Sequence, residues 1–372
     1  MPKQRATEHA SLFQALADHL RQQIADGVLA PGAKLPSIAA LGAAHRVSAI
    51  TVRRALSDLA AAGLVVGHQG KGVFVASQAP VTAARQMPLV GLVIPDVAQN
   101  PFFAGMHAGI QRVLGRDHHL VVGSAGTDPR REVELLRDYA ASGVRGILWT
   151  PITGDRPPEC AAIPAQLVRD GLHVVCVDRH LPELEVDRVS SDNEAVGHLV
   201  AEHLIALGHR RIAFVWAHPC PTFTARRAGL TAALIAAGLD LDPALARGGW
   251  SAACDYAEAG YIHTLELLHH PDPPTAIVAG NELIAYGVLR AGHVAGRRIP
   301  EDLNVVGVDD LPLAAYAQPP LTTVRQDTEG MGRAAAELLL DRIAGYQGPA
   351  RTILLAPQLI VRGSTAAFTS RG

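Results

Sequence analysis

The sequence predicts an α/β protein with a small N-terminal winged helix-turn-helix domain, itself α+β, and a large bilobed domain with two parallel-sheet lobes. Three observations predict this architecture. The chain has 372 residues, which is too long for one ordinary domain. Residues 1–80 carry eight Lys or Arg and four acidic residues, a net charge of +4; the whole chain carries −2, so the remainder carries −6. After residue 88, β-rich runs alternate with helical patterns, which favours parallel sheets.

The helices of the N-terminal domain follow from apolar spacing and capping residues. Apolar residues recur at every fourth position over residues 12–24, the spacing of a helix with one apolar stripe. Ser37 can cap a second helix over roughly residues 38–45. Ser48 can cap a third helix that runs to Ala62. We therefore expect three helices separated by short turns.

A predicted β-hairpin completes this domain, because β-rich runs at 64–68 and 73–76 flank a glycine-rich turn. Three motifs stand out: Gly27…Pro31-Gly32…Leu35-Pro36-Ser37, Val47-Ser48…Thr51-Val52-Arg53…Ala55-Leu56, and Gln69-Gly70-Lys71-Gly72. Through these motifs the stretch 12–75 resembles the DNA-binding domain of the GntR family of bacterial regulators. The resemblance implies a β-hairpin wing and a double-stranded DNA operator as the partner.

The third helix is the predicted DNA-reading element. On a helical wheel its apolar residues share one face, whereas Ile50, Arg53 and Arg54 lie on the opposite face. If its N-terminal end enters the major groove, Arg53 can reach a guanine or a phosphate and Thr51 a phosphate. Lys71 would lie along the backbone or in the minor groove. The predicted DNA-contacting residues are Ser37, Ser48, Ala49, Ile50, Thr51, Arg53, Arg54, Gln69, Gly70 and Lys71.

Arg54 also has a second interpretation, as a solvated residue paired with Asp58 four positions further on. Two positions depart from the GntR pattern. The resemblance implies Glu-Arg after Leu-Pro-Ser, but this chain has Ile38–Ala39 there. Ala49 stands where the family often has an Arg or another polar residue. We therefore expect Ala49 and Ile50 to offer apolar contact, for example to a thymine methyl group.

The large domain follows a short linker, residues 78–88, so we expect the N-terminal domain to span 1–77 and the large domain 89–366. The first predicted strands are 89–94, 119–125, 146–151 and 173–179, with helices at about 101–116, 129–142 and 162–170. After Asp192 the alternation resumes. Two such halves predict two lobes with a ligand between them, because ligands of open α/β sheets bind beyond the carboxyl ends of the strands.

Seven landmarks occur in this part of the chain: Val93-Ile94-Pro95-Asp96 with Asn100-Pro101-Phe102-Phe103, Val189–Asn193, His203–Ile212, Arg226–Gly229, Ala279–Glu282, Val306–Asp310 and Pro319–Gln326. With these, residues 88–366 resemble the effector domain of the LacI/GalR family, which is similar to periplasmic sugar-binding proteins. We place lobe 1 at about 89–188 and 310–321, and lobe 2 at about 192–308 and 326–366. The predicted crossovers lie near 188–192, 308–311 and 321–326.

The LacI-type resemblance implies an effector site for a polyol. Carboxylates accept hydrogen bonds from hydroxyls, Arg and Asn give paired contacts, and aromatic rings stack on a sugar's C–H face. The predicted effector-binding residues are Phe103, Asp178, Arg179, Arg226, Trp250, Asn281, Asp309 and Gln326. Structural alternatives remain open for three of them. Asp309 could cap a helix, Trp250 could be a core residue, and Asp178 could pair with Arg179.

These patterns predict a ligand-responsive transcription regulator that binds its operator as a homodimer, because one small head makes too few contacts for specificity. Resemblance favours a repressor that a carbohydrate releases from DNA. The main alternative is a carbohydrate-binding receptor with no DNA-binding role. An enzyme that uses Asp178 and Asp309 as acid and base is a third hypothesis, but no nucleophile motif accompanies them.

The sequence lacks the motifs of several other functional classes. The four cysteines form no CxxC, the histidines form no HExxH, and no GxxxxGK[ST] phosphate loop is present. We therefore expect no metal, no cofactor and no catalytic residue. The N-terminus has no apolar signal-peptide region and no apolar run is long enough to span a membrane. A cytoplasmic protein without a membrane partner is the expectation.

Overall fold

The computed structural model describes residues 3–68, 71–76, 87–95, 100–153, 156–249 and 255–368, with only the backbone over 3–12. The chain divides into two compact units, Met1–Met87 and Pro88–Gly372. Within the described ranges, no helix combines the length and apolar character that crossing a membrane requires.

The N-terminal unit has the predicted winged helix-turn-helix order. Its elements are α1 (Lys3–Ala25), α2 (Ile38–His45), α3 (Ala49–Ala61), β1 (Val65–His68) and β2 (Gly72–Val75). The two strands pair antiparallel, with Val65 opposite Val75. An isolated antiparallel bridge between Lys34 and Phe74 joins the segment before α2 to this hairpin.

Two serine caps and one apolar core hold this unit together. The Ser37 hydroxyl accepts a hydrogen bond from the Ala40 amide, and the Ser48 hydroxyl accepts one from the Thr51 amide, both at 3.2 Å. Each cap satisfies a helix-end N–H that has no partner within the helix. The core brings together the apolar faces of all three helices and the hairpin: Leu16, Leu20, Leu35, Leu41, Val52, Leu56, Leu59, Val65 and Val75.

The large unit begins with alternating strands and helices, as predicted. Up to the first crossover its elements are β3 (Leu89–Ile94), α4 (Phe102–Leu114), β4 (His119–Ser124), α5 (Pro129–Ala141), β5 (Gly146–Trp149), α6 (Pro158–Ala161), α7 (Ile163–Arg169), β6 (His173–Val177) and β7 (Asp187–Ser191). The strands of this part are paired in parallel. The inner strands β3, β5 and β6 are near-continuous buried apolar runs, as expected for strands covered on both faces, whereas the edge strand β4 is largely exposed.

The second lobe follows after Asp192. The remaining elements in chain order are α8 (Asn193–Ala206), β8 (Ile212–Trp216), α9 (Pro221–Ala236), a 3₁₀ helix (Pro243–Leu245), β9 (Ala246–Gly248), α10 (Tyr256–Leu268), β10 (Ala276–Ala279), α11 (Glu282–Val294), β11 (Asn304–Asp309), a 3₁₀ helix (Pro312–Tyr316), β12 (Thr322–Arg325), α12 (Thr328–Ile343), β13 (Thr352–Leu355) and β14 (Gln358–Ile360). Two six-stranded sheets result, with the orders β13-β7-β6-β5-β3-β4 and β14-β12-β11-β10-β8-β9. The fold class is therefore the predicted one.

The allocation of the C-terminal segments to lobes differs from the prediction. The 3₁₀ helix Pro312–Tyr316, predicted for lobe 1 within 310–321, packs in lobe 2, where Ala314 is part of the core. Helix α12 and strand β13, predicted for lobe 2 within 326–366, instead complete lobe 1. Met331 of α12 packs in the same core as Met106 of α4, and β13 pairs with β7.

The packing of α4 on α12 explains this difference. A Cβ atom at Gly109 would overlap the backbone oxygen of Glu329, and one at Gly332 would overlap that of Met106. Only glycines allow the two helix backbones to approach so closely. The chain therefore crosses between lobes at 192, 326–327 and 356–357, and the crossover predicted at 308–311 is replaced by the one at 356–357.

Candidate functional site

A cavity between the two lobes of the large unit collects most of the predicted effector-binding residues. Strand ends supply Asp178 after β6 and Asp309 at the end of β11, the positions where open α/β sheets bind ligands. Gln326 lies in the second crossover. Trp250 lies outside the described residues. The predicted residues that line the cavity are Phe103, Asp178, Arg179, Arg226, Asn281, Asp309 and Gln326.

Arg226 is held in a fixed geometry on α9. Its Nε donates to the Asn193 side-chain oxygen at 2.8 Å, and its Nη1 donates to the Gly280 carbonyl at 2.6 Å. A Cβ at Gly229 would overlap the backbone of Glu194, so this glycine allows α8 and α9 to pack closely. That approach brings Asn193 within reach of Arg226. The residue is only 4% exposed and lies in the second turn of α9.

Asp309 is the most perturbed carboxyl group of the cavity. Burial raises the pKa of Asp309 from 3.8 to about 7; Arg226 opposes this rise, and the Glu282 carboxylate adds to it. The Gln326 side-chain amide donates to Asp309 at 2.6 Å, while the Gln326 oxygen is buried without a partner among the described residues. Asp309 also has a φ of 131°, a conformation that a non-glycine residue seldom adopts. Such strain is typical of functional sites.

Asp178 and Arg179 form the lobe 1 side of the cavity. Arg179 Nε lies 3.3 Å from an Asp178 carboxylate oxygen, so the pairing considered from the sequence is present. Asp178 has a φ of 67°, and its carbonyl accepts a hydrogen bond from the Ser190 hydroxyl at 2.8 Å. The pair can still bind hydroxyls, because a carboxylate has several acceptor positions and a guanidinium has five donors.

Asn281 and Phe103 have simpler roles. The Asn281 side-chain oxygen caps α11 by accepting from the Ile284 amide at 2.9 Å, so its amide group is the part that can donate to a ligand. Phe103 packs edge-to-face on Phe102 with 5.4 Å between ring centroids, which builds an apolar wall.

The predicted DNA-facing surface lies at the N-terminal end of α3. Ala49, Ile50 and Arg53 are exposed there, and Ile50 is 79% exposed, unusual for an isoleucine. Ser48 caps this helix and Ser37 caps α2, both at the surface. Lys71 is exposed in the hairpin turn. Gln69 and Gly70 lie outside the described residues.

Thr51 is more buried than its predicted DNA contact requires, and the pairing of Arg54 with Asp58 that the sequence left open is absent, while the DNA contact of the exposed Arg54 stays a prediction. Thr51 is 5% exposed, and its hydroxyl lies 2.8 Å from that of Ser48, so the helix start holds it inward, away from a phosphate. Arg54 does not pair with Asp58 but lies over the Phe13 ring, 4.3 Å from its centroid. Asp58 instead accepts from Arg21 at 3.1 Å, because the packing of α1 on α3 brings these two residues together.

Comparison with known proteins finds a matching family for each of the two units. Residues 12–75 match the family model described as bacterial regulatory proteins, gntR family, and residues 201–365 match that of the periplasmic binding protein-like domain. The HTH-type transcriptional regulator CelR of Thermobifida fusca is 35% identical over 293 residues, 75% of this chain and 82% of that protein. The chain belongs to the LacI-type transcriptional regulators. In this member of the family, the DNA-binding domain is of the GntR type.

Solved structures support the same assignment of this LacI-type regulator. A LacI family transcriptional regulator from Mycobacterium smegmatis superposes with a TM-score of 0.66 at 31% identity, covering 75% of this chain and 100% of that one. A complex of the transcriptional regulator CelR with cellobiose superposes with a TM-score of 0.67 at 30% identity, covering 89% and 100%.

Sequence reasoning missed several residues of this regulator's cavity. Asn100, Phe102, Cys220, Thr222, Phe223 and Tyr256 also line it. Glu282 lies directly behind Asp309, fully buried, and accepts hydrogen bonds from Tyr286 and Thr323, both at 3.0 Å. The available signal was the position of Glu282 in the first turn of α11, directly after the end of strand β10, because ligands of open α/β sheets bind beyond strand ends.

Proposed function

We propose that the protein is a transcription repressor whose winged domain binds an operator and whose interlobe cavity binds a sugar that lowers DNA affinity. The observation that carries this proposal is that two buried groups of opposite hydrogen-bonding character, Arg226 and Asp309, line the same cavity between the lobes. Arg226 can only donate and ionised Asp309 can only accept, whereas a sugar hydroxyl does both. The solved CelR–cellobiose complex supports a sugar as the effector class.

The cavity walls suit a polyol in two further ways. The Phe102–Phe103 pair offers an apolar surface to the C–H face of a sugar ring. The Gln326 oxygen, which has no partner in the part of the chain that the structure describes, needs a donor, and an effector hydroxyl can supply one. An effector bound here would satisfy polar groups whose burial is otherwise costly.

Residues of both lobes would contact one effector. Phe103 and Asp178 belong to lobe 1, Arg226 and Asp309 belong to lobe 2, and Gln326 is part of a crossover. A ligand that contacts both lobes favours the arrangement in which they lie close together, and the equilibrium shifts by its differential affinity for the two arrangements. The three crossovers at 192, 326–327 and 356–357 are the only backbone connections between the lobes in the described ranges, so they would act as the hinge.

On the DNA side, we infer that α3 enters the major groove with Arg53 as the main polar contact and Ala49 and Ile50 as apolar contacts. Lys71 would contact the phosphate backbone from the wing. We infer a homodimer, because two linked heads double the contact area and read two half-sites.

The test is a DNA-shift assay with an operator chosen by repeated selection from random DNA. We expect enrichment of an inverted repeat, a dimer-sized complex, and release of that complex by at least one sugar at millimolar concentration. If no sequence is enriched, the DNA-binding role fails. If a sequence is enriched but no sugar changes its binding, the effector part fails and the DNA-binding part stands.

A further inference from the structure

The inner cavity is too small for the ligand that its chemistry suits. Its free volume is about 30 Å³, room for about two water molecules, whereas ligand pockets usually measure about 300 Å³ or more. A sugar ring can enter only when side chains or lobes move apart. Directly beside it lies a second space of about 550 Å³ between the lobes, and Cys220 lines both. We call this second space the outer groove.

One face of α9 forms the lobe 2 wall of the outer groove. Pro221, Thr224, Ala225 and Ala228 line it, and their spacing of three, four and seven residues places them on a single helix face. Thr224 and Ala228 are exposed to solvent. Because these side chains are small, the groove stays open along two turns of the helix. The same helix carries Arg226 into the inner cavity, so both spaces share one rigid element.

The lobe 1 wall supplies polar groups that lack partners. Arg156 lines the groove with its side chain 7% exposed, and its Nε and Nη2 atoms have no hydrogen-bond partner among the described residues. The Thr153 hydroxyl, in the same wall, also has none within the described ranges. Buried donors without partners are rare in native proteins and costly, so they indicate a place where a ligand group can bind.

The charges of the groove favour a neutral ligand. Arg156 is already paired with the buried Glu132 carboxylate at 2.7 Å. Glu183 and Glu194 add two exposed negative charges at the rim. Burial lowers the pKa of His180, and the positive charge of Arg188 lowers it further, so this ring is neutral near pH 7. With a net negative charge, the groove should repel a phosphate or a carboxylate and accept hydroxyl groups.

We propose that the outer groove is a second sugar subsite and that the effector is a neutral glycoside of at least two sugar units. The first unit occupies the cavity at Arg226 and Asp309, and the second lies along α9 against Thr224 and Ala228, with its hydroxyls facing Thr153. This inference rests on the proposed sugar-responsive function and narrows its effector class. It also makes α9 the element that senses both units.

The experiment measures the melting temperature of the full chain with matched sugar pairs. The pairs are glucose and cellobiose, xylose and xylobiose, mannose and mannobiose, with glucose 6-phosphate, ribose and arabinose as further single-unit probes. A ligand that binds only the folded state raises the melting temperature. We expect a disaccharide to raise it more than its own monosaccharide does, and glucose 6-phosphate to raise it less than glucose.

Ala228→Trp fills the groove without touching the inner cavity. We expect it to weaken binding of the active disaccharide by about tenfold or more and to change monosaccharide binding less than twofold. The control is Ala236→Trp, an equal change at an exposed position at the far end of the same helix, which should leave both unchanged.

The outcomes separate the two proposals. A single-unit probe that binds as tightly as every disaccharide, a preference for the phosphate, or an Ala228→Trp variant that binds the disaccharide normally would each overturn the second subsite and leave the sugar-responsive regulator intact. If no sugar raises the melting temperature and none changes DNA binding, the proposed effector class fails and the subsite fails with it.

Discussion

Replacing Asp309 with Asn should make the folded protein more stable, because the native carboxylate is buried at a cost. Asp309 is 7% exposed, and its carboxylate accepts a hydrogen bond from the Gln326 side-chain amide at 2.6 Å. Burial raises the pKa of Asp309 from 3.8 to about 7. An Asn at this position keeps the size and the acceptor oxygen but never ionises, so the cost of burying the charge disappears.

The size of the effect follows from the two pKa values of Asp309. The folded state binds this proton more tightly than the unfolded state, so stability falls as the pH rises from about 4 to about 7 and then levels off. The values differ by about three pH units, and each unit corresponds to about 1.4 kcal/mol. The gain from Asp309→Asn should therefore grow from under about 1 kcal/mol at pH 4 to about 4 kcal/mol at pH 8.

Scanning calorimetry of both proteins between pH 5 and pH 8 measures this gain. At pH 8 we expect a rise in melting temperature of roughly 8 °C for the large unit, and a rise of less than half that size at pH 5. Asp240→Asn is the matched control, since Asp240 is exposed and the same chemical change should have little effect there. A lower melting temperature at pH 8, or a gain that does not depend on pH, would refute the reasoning. Sugar binding should weaken in the variant, because the acceptor charge is lost.

Three further predictions concern other parts of the chain. Asp187 is fully buried, and the hydrogen bonds that it accepts from Arg342 and Arg351 outweigh the effect of burial and lower its pKa from 3.8 to about 2. Asp187→Ala should therefore reduce the free energy of unfolding at pH 7 by about 2 kcal/mol or more, measured by urea unfolding. This difference should shrink as the pH falls from about 4 towards 2. Arg53→Ala should weaken operator binding by about tenfold or more in the DNA-shift assay while sugar-induced stabilisation persists; unchanged DNA binding would contradict the docking of α3. Gly109→Ala should force α4 away from the Glu329 backbone and cost about 2 kcal/mol or more, measured by urea unfolding, whereas Gly67→Ala, where a Cβ meets nothing within 4 Å, should cost much less.

The sequence predicted local structure well where local chemistry decides it. The helix predicted at 38–45 matches α2, because the Ser37 cap and the left-handed Arg46 bound it on both sides. The strand predicted at 89–94 matches β3, because a short apolar run between a linker and a proline has few alternatives. The cavity residues Asp178, Asn281 and Asp309 could be located because each follows a buried strand.

What could not be predicted depends on long-range packing. The pattern of α12 shows an apolar stripe but not which lobe receives it; the contact of Gly332 with α4, more than two hundred residues earlier in the chain, decides that. Arg54 stands four residues before Asp58, yet the Asp58 carboxylate pairs with Arg21 of α1, and the Arg54 guanidinium packs on the Phe13 ring. The burial of Thr51 likewise follows from the packing of α3, which its helical pattern alone left undecided.

The allocation of α12 and β13 to lobe 1 has a consequence for how the protein is made on the ribosome. Lobe 1 starts with β3 at Leu89, but its central helix α12 and its edge strand β13 are translated only after all of lobe 2 except β14. The N-terminal unit can fold as soon as it leaves the ribosome, because its core is complete by Val75. Until residues 328–355 are synthesised, lobe 1 must wait with the apolar face of α4 uncovered, which exposes the nascent large unit to aggregation.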